Sequence, residues 1–175
     1  MQRWRAFGSG ALPLGLRGLA SIVSGLVLVT GLWSIPVEAQ TAEGCRDGDP
    51  LENVRDPKRL EVLRRCVTAT GRVHFAQTEK DGDLHISLVL DREHRYLLND
   101  GNRRKHHGTL VVEIVPADRP GCRKGERVRY GRCTGAAVRT PKRGERIRVT
   151  GPWVLDRPHG WREIHPAWKI DLRRS

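Results

Sequence analysis

The feature that most constrains the fold is a two-residue alternation in the stretch 144–172. Within 146–156, Ile147, Val149, Trp153 and Leu155 fall on odd positions, while Arg146, Arg148, Thr150 and Asp156 sit between them. Successive side chains of a strand point to opposite faces, so this pattern fits a strand buried on one side. Asp156, Arg157, Pro158, His159 and Gly160 then supply turn chemistry. In the next run Ile164, Trp168, Ile170 and Leu172 share one face, and Trp161, Glu163, His165 and Lys169 the other. The spacing predicts that Glu163 and His165 project together away from the core.

The same period appears upstream. Val67, Ala69, Gly71, Val73 and Phe75 are expected inward, with Thr68, Thr70, Arg72 and His74 outward. Lys80-Asp81-Gly82-Asp83 reads as a hairpin turn. Leu84, Ile86, Leu88 and Leu90 follow on the inner face, opposite Asp83, His85 and Ser87. In 109–115, Leu110, Val112 and Ile114 face in and Glu113 faces out. Before the first strand, Asp56-Pro57 has the chemistry of a helix start, and Leu60, Leu63 and Val67 predict a turn or two of helix. The segment 91–108 reads as a long basic connection, and 116–143 as an irregular excursion without a period.

Five strands in this order predict an all-β fold, a small five-stranded Greek-key (OB-like) barrel with an excursion between strands 3 and 4. The helix that usually follows the third strand of such a barrel has no counterpart in the pattern.

Residues 1–39 read as a signal peptide. Arg3, Arg5 and Arg17 precede an uncharged apolar run over 18–33, and Val37-Glu38-Ala39 matches a small-residue cleavage site. The run is short for a bilayer span, so no stable membrane span is expected after cleavage. The expected division is a leader at 1–39, an N-terminal arm at 40–56 held by Cys45, and the β-domain at 57–175. Residues 1–39 carry Arg3, Arg5, Arg17 and Glu38 as their charged side chains, so their loss takes the formal net charge from +12 to +10. Such a field attracts anions without identifying one. Arginine-rich codon usage would produce the same excess with no ligand at all.

Cys45, Cys66, Cys122 and Cys133 all lie beyond the leader. An even number in an exported chain, periplasmic or secreted, predicts two disulfides. Of the three connectivities, Cys45–Cys66 with Cys122–Cys133 closes short local loops, and the second pair would staple the excursion. Zinc-finger spacing is not present among them.

The runs Pro57-x-Arg59-Leu60-x-Val62-Leu63, Cys66-Val67-Thr68-Ala69-Thr70-Gly71, Asp81-Gly82-Asp83-Leu84-His85, Val111-Val112-Glu113-Ile114 and His159-Gly160-Trp161-x-Glu163-Ile164-His165-Pro166 resemble a group of exported bacterial proteins of uncharacterised function. Their DGDxH and HGWxEIHP signatures cover most of 57–170. The resemblance implies an exported, OB-like β-domain and brings no activity with it.

Two constellations carry candidate chemistry. Asp83, His85, Glu113, Glu163 and His165 lie opposite the apolar residues of their strands, and neighbouring strands would bring them together, with His159 nearby. Imidazoles with carboxylates suit Zn²⁺ or another divalent ion, or acid–base work. The plainer alternative is a hydrogen-bonded strand face that holds register. The second constellation is basic. Arg72, Arg92, Arg95, Arg103, Arg104, Lys105, Arg146 and Arg148 would line a groove for nucleic acid or an acidic polysaccharide, with Trp161 as the stacking ring. The competing role for Trp161 is to cover a barrel end.

Neither Ser87 nor Ser175 lies in a nucleophile elbow, and the usual nucleotide-binding loops are missing. Asp81, Asp83, Glu113 and Arg72 can be drawn as an OB-type nuclease site, without a full motif. The sequence thus favours an exported, monomeric, basic binding module for nucleic acid or another anionic polymer. The alternatives are a divalent-metal site with hydrolytic chemistry and a structural envelope protein.

Overall fold

In the computed structural model, which describes residues 43–173, the longest element is a strand, β1 (Leu60–Thr78). The expected leader at 1–39 lies outside the described residues. β1 begins where a helix was predicted. Leu60, Leu63 and Val67 fit a helical face by spacing, but Leu60 pairs with Asp156 and Val67 with Gly151 of a distant strand, and that pairing overrides local preference. Only Pro57–Arg59 keeps a helical turn, of the 3-10 type, and Asp56 sits in the left-handed region at φ 47° without capping it.

The expected strands follow as β2 (Leu84–Leu90), β3 (Leu110–Ile114), β6 (Arg146–Asp156) and β7 (Trp161–Ile164). The last run is divided by a cis His165–Pro166 peptide, and its second half forms β8 (Lys169–Leu172). These six strands make one sheet in the order β1-β2-β3-β7-β6-β8, and β1 also pairs along β6. Hydrogen bonding therefore returns from β6 to the first strand. All neighbours are antiparallel except β3 and β7, where Val111 pairs with Glu163 and Val112 with Ile164.

Inside lie the residues that the alternation assigned there: Val67, Ala69, Val73, Leu84, Ile86, Leu88, Leu90, Leu110, Val112, Ile114, Ile147, Val149, Ile164 and Ile170. Three inward assignments fail, at Phe75, Leu155 and Leu172. Phe75 is 36% exposed, because the β1–β2 register shifts between Val73 and Phe75 and reverses the faces beyond. Past that bulge Ala76 packs on the core instead. Leu155 is only half-buried and Val154 is fully buried. Val154 joins a second, smaller core with Val54, Leu60, Val115 and Ala117, so this end of β6 is covered on its other face by the arm and the excursion. Trp153, by contrast, keeps its inward place: it is half-buried and packs on the core, its Nε1 donating to Leu97 O at 3.2 Å. Leu172, at the end of β8, is 47% exposed.

Both disulfides have the preferred connectivity, Cys45–Cys66 and Cys122–Cys133. Such bonds point to an oxidising compartment. The first ties down the arm, whose Arg46 pairs with buried Asp118 at 2.8 Å. The second staples the excursion between β3 and β6, which also holds a small ribbon, β4 (Arg127–Val128) with β5 (Gly131–Arg132).

The basic connection 91–108 is more ordered than its composition predicts. It contains a 3-10 segment, Arg92–Leu97, that buries Leu97, and a short helix, α1 (Asp100–Lys105). Asn99 and Asn102 form a reciprocal capping box. Among the described residues no helix is long and apolar enough to cross a membrane.

Candidate functional site

Register alone brings the first pair of site residues together. His85 of β2 stands opposite Glu113 of β3, and its Nδ1 lies 3.1 Å from Glu113 Oε1. On the other side of β3, the parallel pairing of Val111 with Glu163 carries β7 alongside, so the chain just past β7 sets His165 near Glu113. His165 Nδ1 is 3.0 Å from Glu113 Oε2 and 3.1 Å from Glu163 Oε1. Its Nε2 faces Asp83 Oδ2 at 3.4 Å. Glu163 is fixed in turn by Trp161, whose Nε1 donates to Oε2 at 3.1 Å.

All five residues expected to converge therefore do so. What differs from expectation is their environment. Alternation predicted a face pointing away from the core, but His165 is fully buried and Asp83, His85 and Glu163 nearly so; Glu113 keeps 12% side-chain exposure. The turns 79–83 and 157–160 rise on either side, and these groups lie at and beneath the floor between them.

Burial and mutual attraction compete here, and attraction prevails for most of the groups. Burial penalises a charged His165, yet Glu113, Asp83 and Glu163 outweigh it and lift the ring well above 6.5. Burial likewise opposes charge on His85, but Glu113 raises it above 6.5. Glu113 is also pushed up by burial, and the two imidazoles overcome this to hold it well below 4.5. Asp83 is the exception: burial raises it above 3.8 against the pull of His165. One donor atom each from Asp83, Glu113 and His165 lie within 4.8 Å of one another, a group able to hold a metal ion.

Above this floor opens a cleft of about 460 Å³. β1 contributes Phe75 and Gln77, brought to this face by the bulge, and the β1–β2 turn contributes Glu79, Lys80 and Asp81. The opposite wall is Trp161 stacked on His159, with centroids 4.4 Å apart and planes 3° from parallel. His159 Nδ1 lies 2.7 Å from Asp156 Oδ2, so His159 belongs to this wall and not to the His165 cluster. Asp156 is fully buried, contrary to its outward assignment, because it also pairs with Arg59. His106 meets Trp161 edge-on at 4.3 Å. Burial and neighbouring His85 lower His106 below 6.5.

The basic set is not gathered into one groove. Trp161 lines the cleft, and Lys105 sits 5.8 Å over its ring while donating to His159 O. Arg103 and Arg104 lie on α1, paired with Asp100 at 2.9 and 3.9 Å. Arg72 and Arg146 are cross-strand partners toward the other end of β2, where Arg146 binds Asp91 at 2.7 Å and Arg72 donates to Gly144 O. Arg148 is exposed on the same strand, and Arg92 and Arg95 are exposed on the 3-10 segment after β2. The cations beside the cleft are instead Arg55, Arg59 and Lys80. Sequence carries no local signal for the first two, since their partners Asp81 and Asp156 lie far along the chain. Phe75 was missed because a bulge, not composition, decides its face.

Compared with protein families, curated proteins and solved structures, the chain matches none.

Proposed function

We propose that the chain is an exported binding module whose six-stranded sheet is OB-like, and that the cleft takes a segment of single-stranded nucleic acid, with other anionic polymers as weaker ligands. The observation that carries this reading is the stacked Trp161–His159 pair walling a cleft between the β1–β2 and β6–β7 turns, over the β2–β3 face. OB domains bind oligonucleotides and oligosaccharides on that face between those loops. A base has a planar surface to stack on, and Arg55, Lys80 and Lys105 stand within reach of a backbone.

A second groove of about 480 Å³ shares Phe75 and His106 with the first and exposes Val89 beside them. Its position extends the path beyond one nucleotide. A hydrolytic site is less well supported, because Asp83 and His165 are sealed from the cleft, whereas a catalytic metal keeps an open position.

The test is fluorescence anisotropy with single-stranded oligonucleotides at rising salt. Binding that weakens steeply with salt and is lost in Trp161→Ala supports the reading. Failure to bind at low salt, or binding indifferent to Trp161, overturns it.

A further inference from the structure

Beneath the cleft the two nitrogens of His165 have different surroundings. Nδ1 is flanked by Glu113 and Glu163 at 3.0 and 3.1 Å, and Trp161 holds Glu163 in place. That side engages Nδ1 and turns Nε2 toward Asp83, whose Oδ2 is 3.4 Å away. Nε2 and Asp83 Oδ1 are both buried without a hydrogen-bond partner. Nε2 and the second oxygen of the carboxylate beside it are thus both left without partners in a sealed space, an arrangement that is costly unless a further group sits among them.

Charge argues the same way. Asp83, Glu113 and Glu163 bring three carboxylates, and only His85 and His165 answer them; among the described residues no Lys or Arg comes within 4.0 Å of these carboxylates. A dication bound at Nε2 displaces any proton there to solvent and sets positive charge among these carboxylates.

We infer that Asp83, Glu113 and His165 form a structural divalent-metal site that takes Zn²⁺ or a similar first-row dication. One imidazole with two carboxylates suits such ions better than Ca²⁺ or Mg²⁺, which prefer all-oxygen shells. Glu163 on the far ring nitrogen and His85 on the second oxygen of Glu113 orient two of the ligands, as supporting groups do in metal centres. The closed surroundings make the role structural. The ion would tie the β1–β2 turn, β3 and the end of β7 under the cleft floor, independently of what the cleft binds.

The protein, expressed from the full chain into an oxidising compartment and purified without chelator, is analysed for metal and melted with and without EDTA. About one equivalent of metal is expected, with a melting temperature that falls in EDTA and returns with Zn²⁺. Asp83→Asn should weaken Zn²⁺ binding by about 100-fold or more, while His107→Gln, at an exposed histidine, leaves it unchanged. Should Asp83→Asn fail to fold, Co²⁺ absorption of the wild-type protein decides: a ligand-field spectrum displaced by Zn²⁺ supports the site. Folded wild-type protein that gains neither metal nor thermal stability from Zn²⁺ overturns it, as does full affinity in a folded Asp83→Asn variant.

Discussion

Glu113 of β3 serves two imidazoles at once: Oε1 lies 3.1 Å from His85 Nδ1 and Oε2 lies 3.0 Å from His165 Nδ1. One carboxylate therefore joins β2, β3 and the end of β7. Removing its charge strands two buried rings, whereas removing His85 strands only one oxygen. Glu113→Gln is expected to cost about 3 kcal/mol, the range for breaking a buried pair. His85→Gln should cost about 1 kcal/mol, near the worth of one hydrogen bond. Denaturant titration of the two variants checks the order.

Trp161 has separable roles, a ring surface toward the cleft and an indole N–H bound to Glu163. Trp161→Phe keeps the ring and loses the hydrogen bond. It should retain most single-stranded DNA binding while losing about 1 kcal/mol of stability. Trp161→Ala loses the stack and should bind about 10- to 100-fold more weakly. Arg104→Ala, on the outer side of α1, should change only the salt dependence. Anisotropy and thermal melts on the same samples separate the effects.

The two disulfides close loops of unequal length, with sequence separations of 21 and 11. In the chain-entropy account each stabilises by about 3 kcal/mol, and a doubled loop adds about 0.6 kcal/mol. Replacing Cys45 and Cys66 by alanine should therefore lower the melting temperature more than replacing Cys122 and Cys133. The first pair also anchors the arm that carries Arg46 to Asp118, which widens the difference.

Asp91 accepts from the Thr70 hydroxyl at 2.6 Å and pairs with Arg146, and the Thr70 bond is the main cause that holds its pKa below 3.8. A carboxylate depressed in the folded state stabilises above its unfolded pKa, and that contribution fades as pH falls through the folded value. Asp91→Asn should thus be less stable than the wild type at about pH 6, and the gap should narrow at about pH 3. Equal gaps at both values would mean that this carboxylate contributes through packing and not through its charge.

Strand existence and most inward faces were legible because alternation reports burial directly, as at Leu84, Ile86 and Leu88. The convergence of His85, Glu113, Glu163 and His165 was legible for the same reason, given neighbouring strands. Burial of that cluster was not, because the turns that cover it are placed by tertiary packing. Phe75, Leu155 and Asp156 took the opposite face from the one expected, where a bulge or a second core changed the count. The path of 91–108 was hidden by its basic composition. Its order comes from Asn99, Gly101 and Asn102, residues that read equally well as loop.

Asn102 is the residue on which that connection turns. It is fully buried, and its side chain treats β7 as a neighbouring strand would: Nδ2 donates to Arg162 O at 2.8 Å, and Oδ1 accepts from Arg162 N at 3.0 Å. Nδ2 also reaches Thr109 O at 3.2 Å. Asn102→Ala leaves these backbone groups buried without partners and should cost about 3 kcal/mol or more. Gly101 explains how closely α1 can approach, since a Cβ there would collide with Gly160 O and the Trp161 backbone. Gly101→Ala should therefore push α1 off β7 at a cost of about 2 kcal/mol. Lys105 then loses its hold on His159, and Trp161 loses the His106 edge that packs it. The expected signature is a red-shifted tryptophan emission with weaker oligonucleotide binding. Asp100→Ala, which removes only exposed ion pairs on the same helix, should change neither. If both helix variants behave alike, α1 is a passive cover, and the wall of the cleft is set by β7 alone.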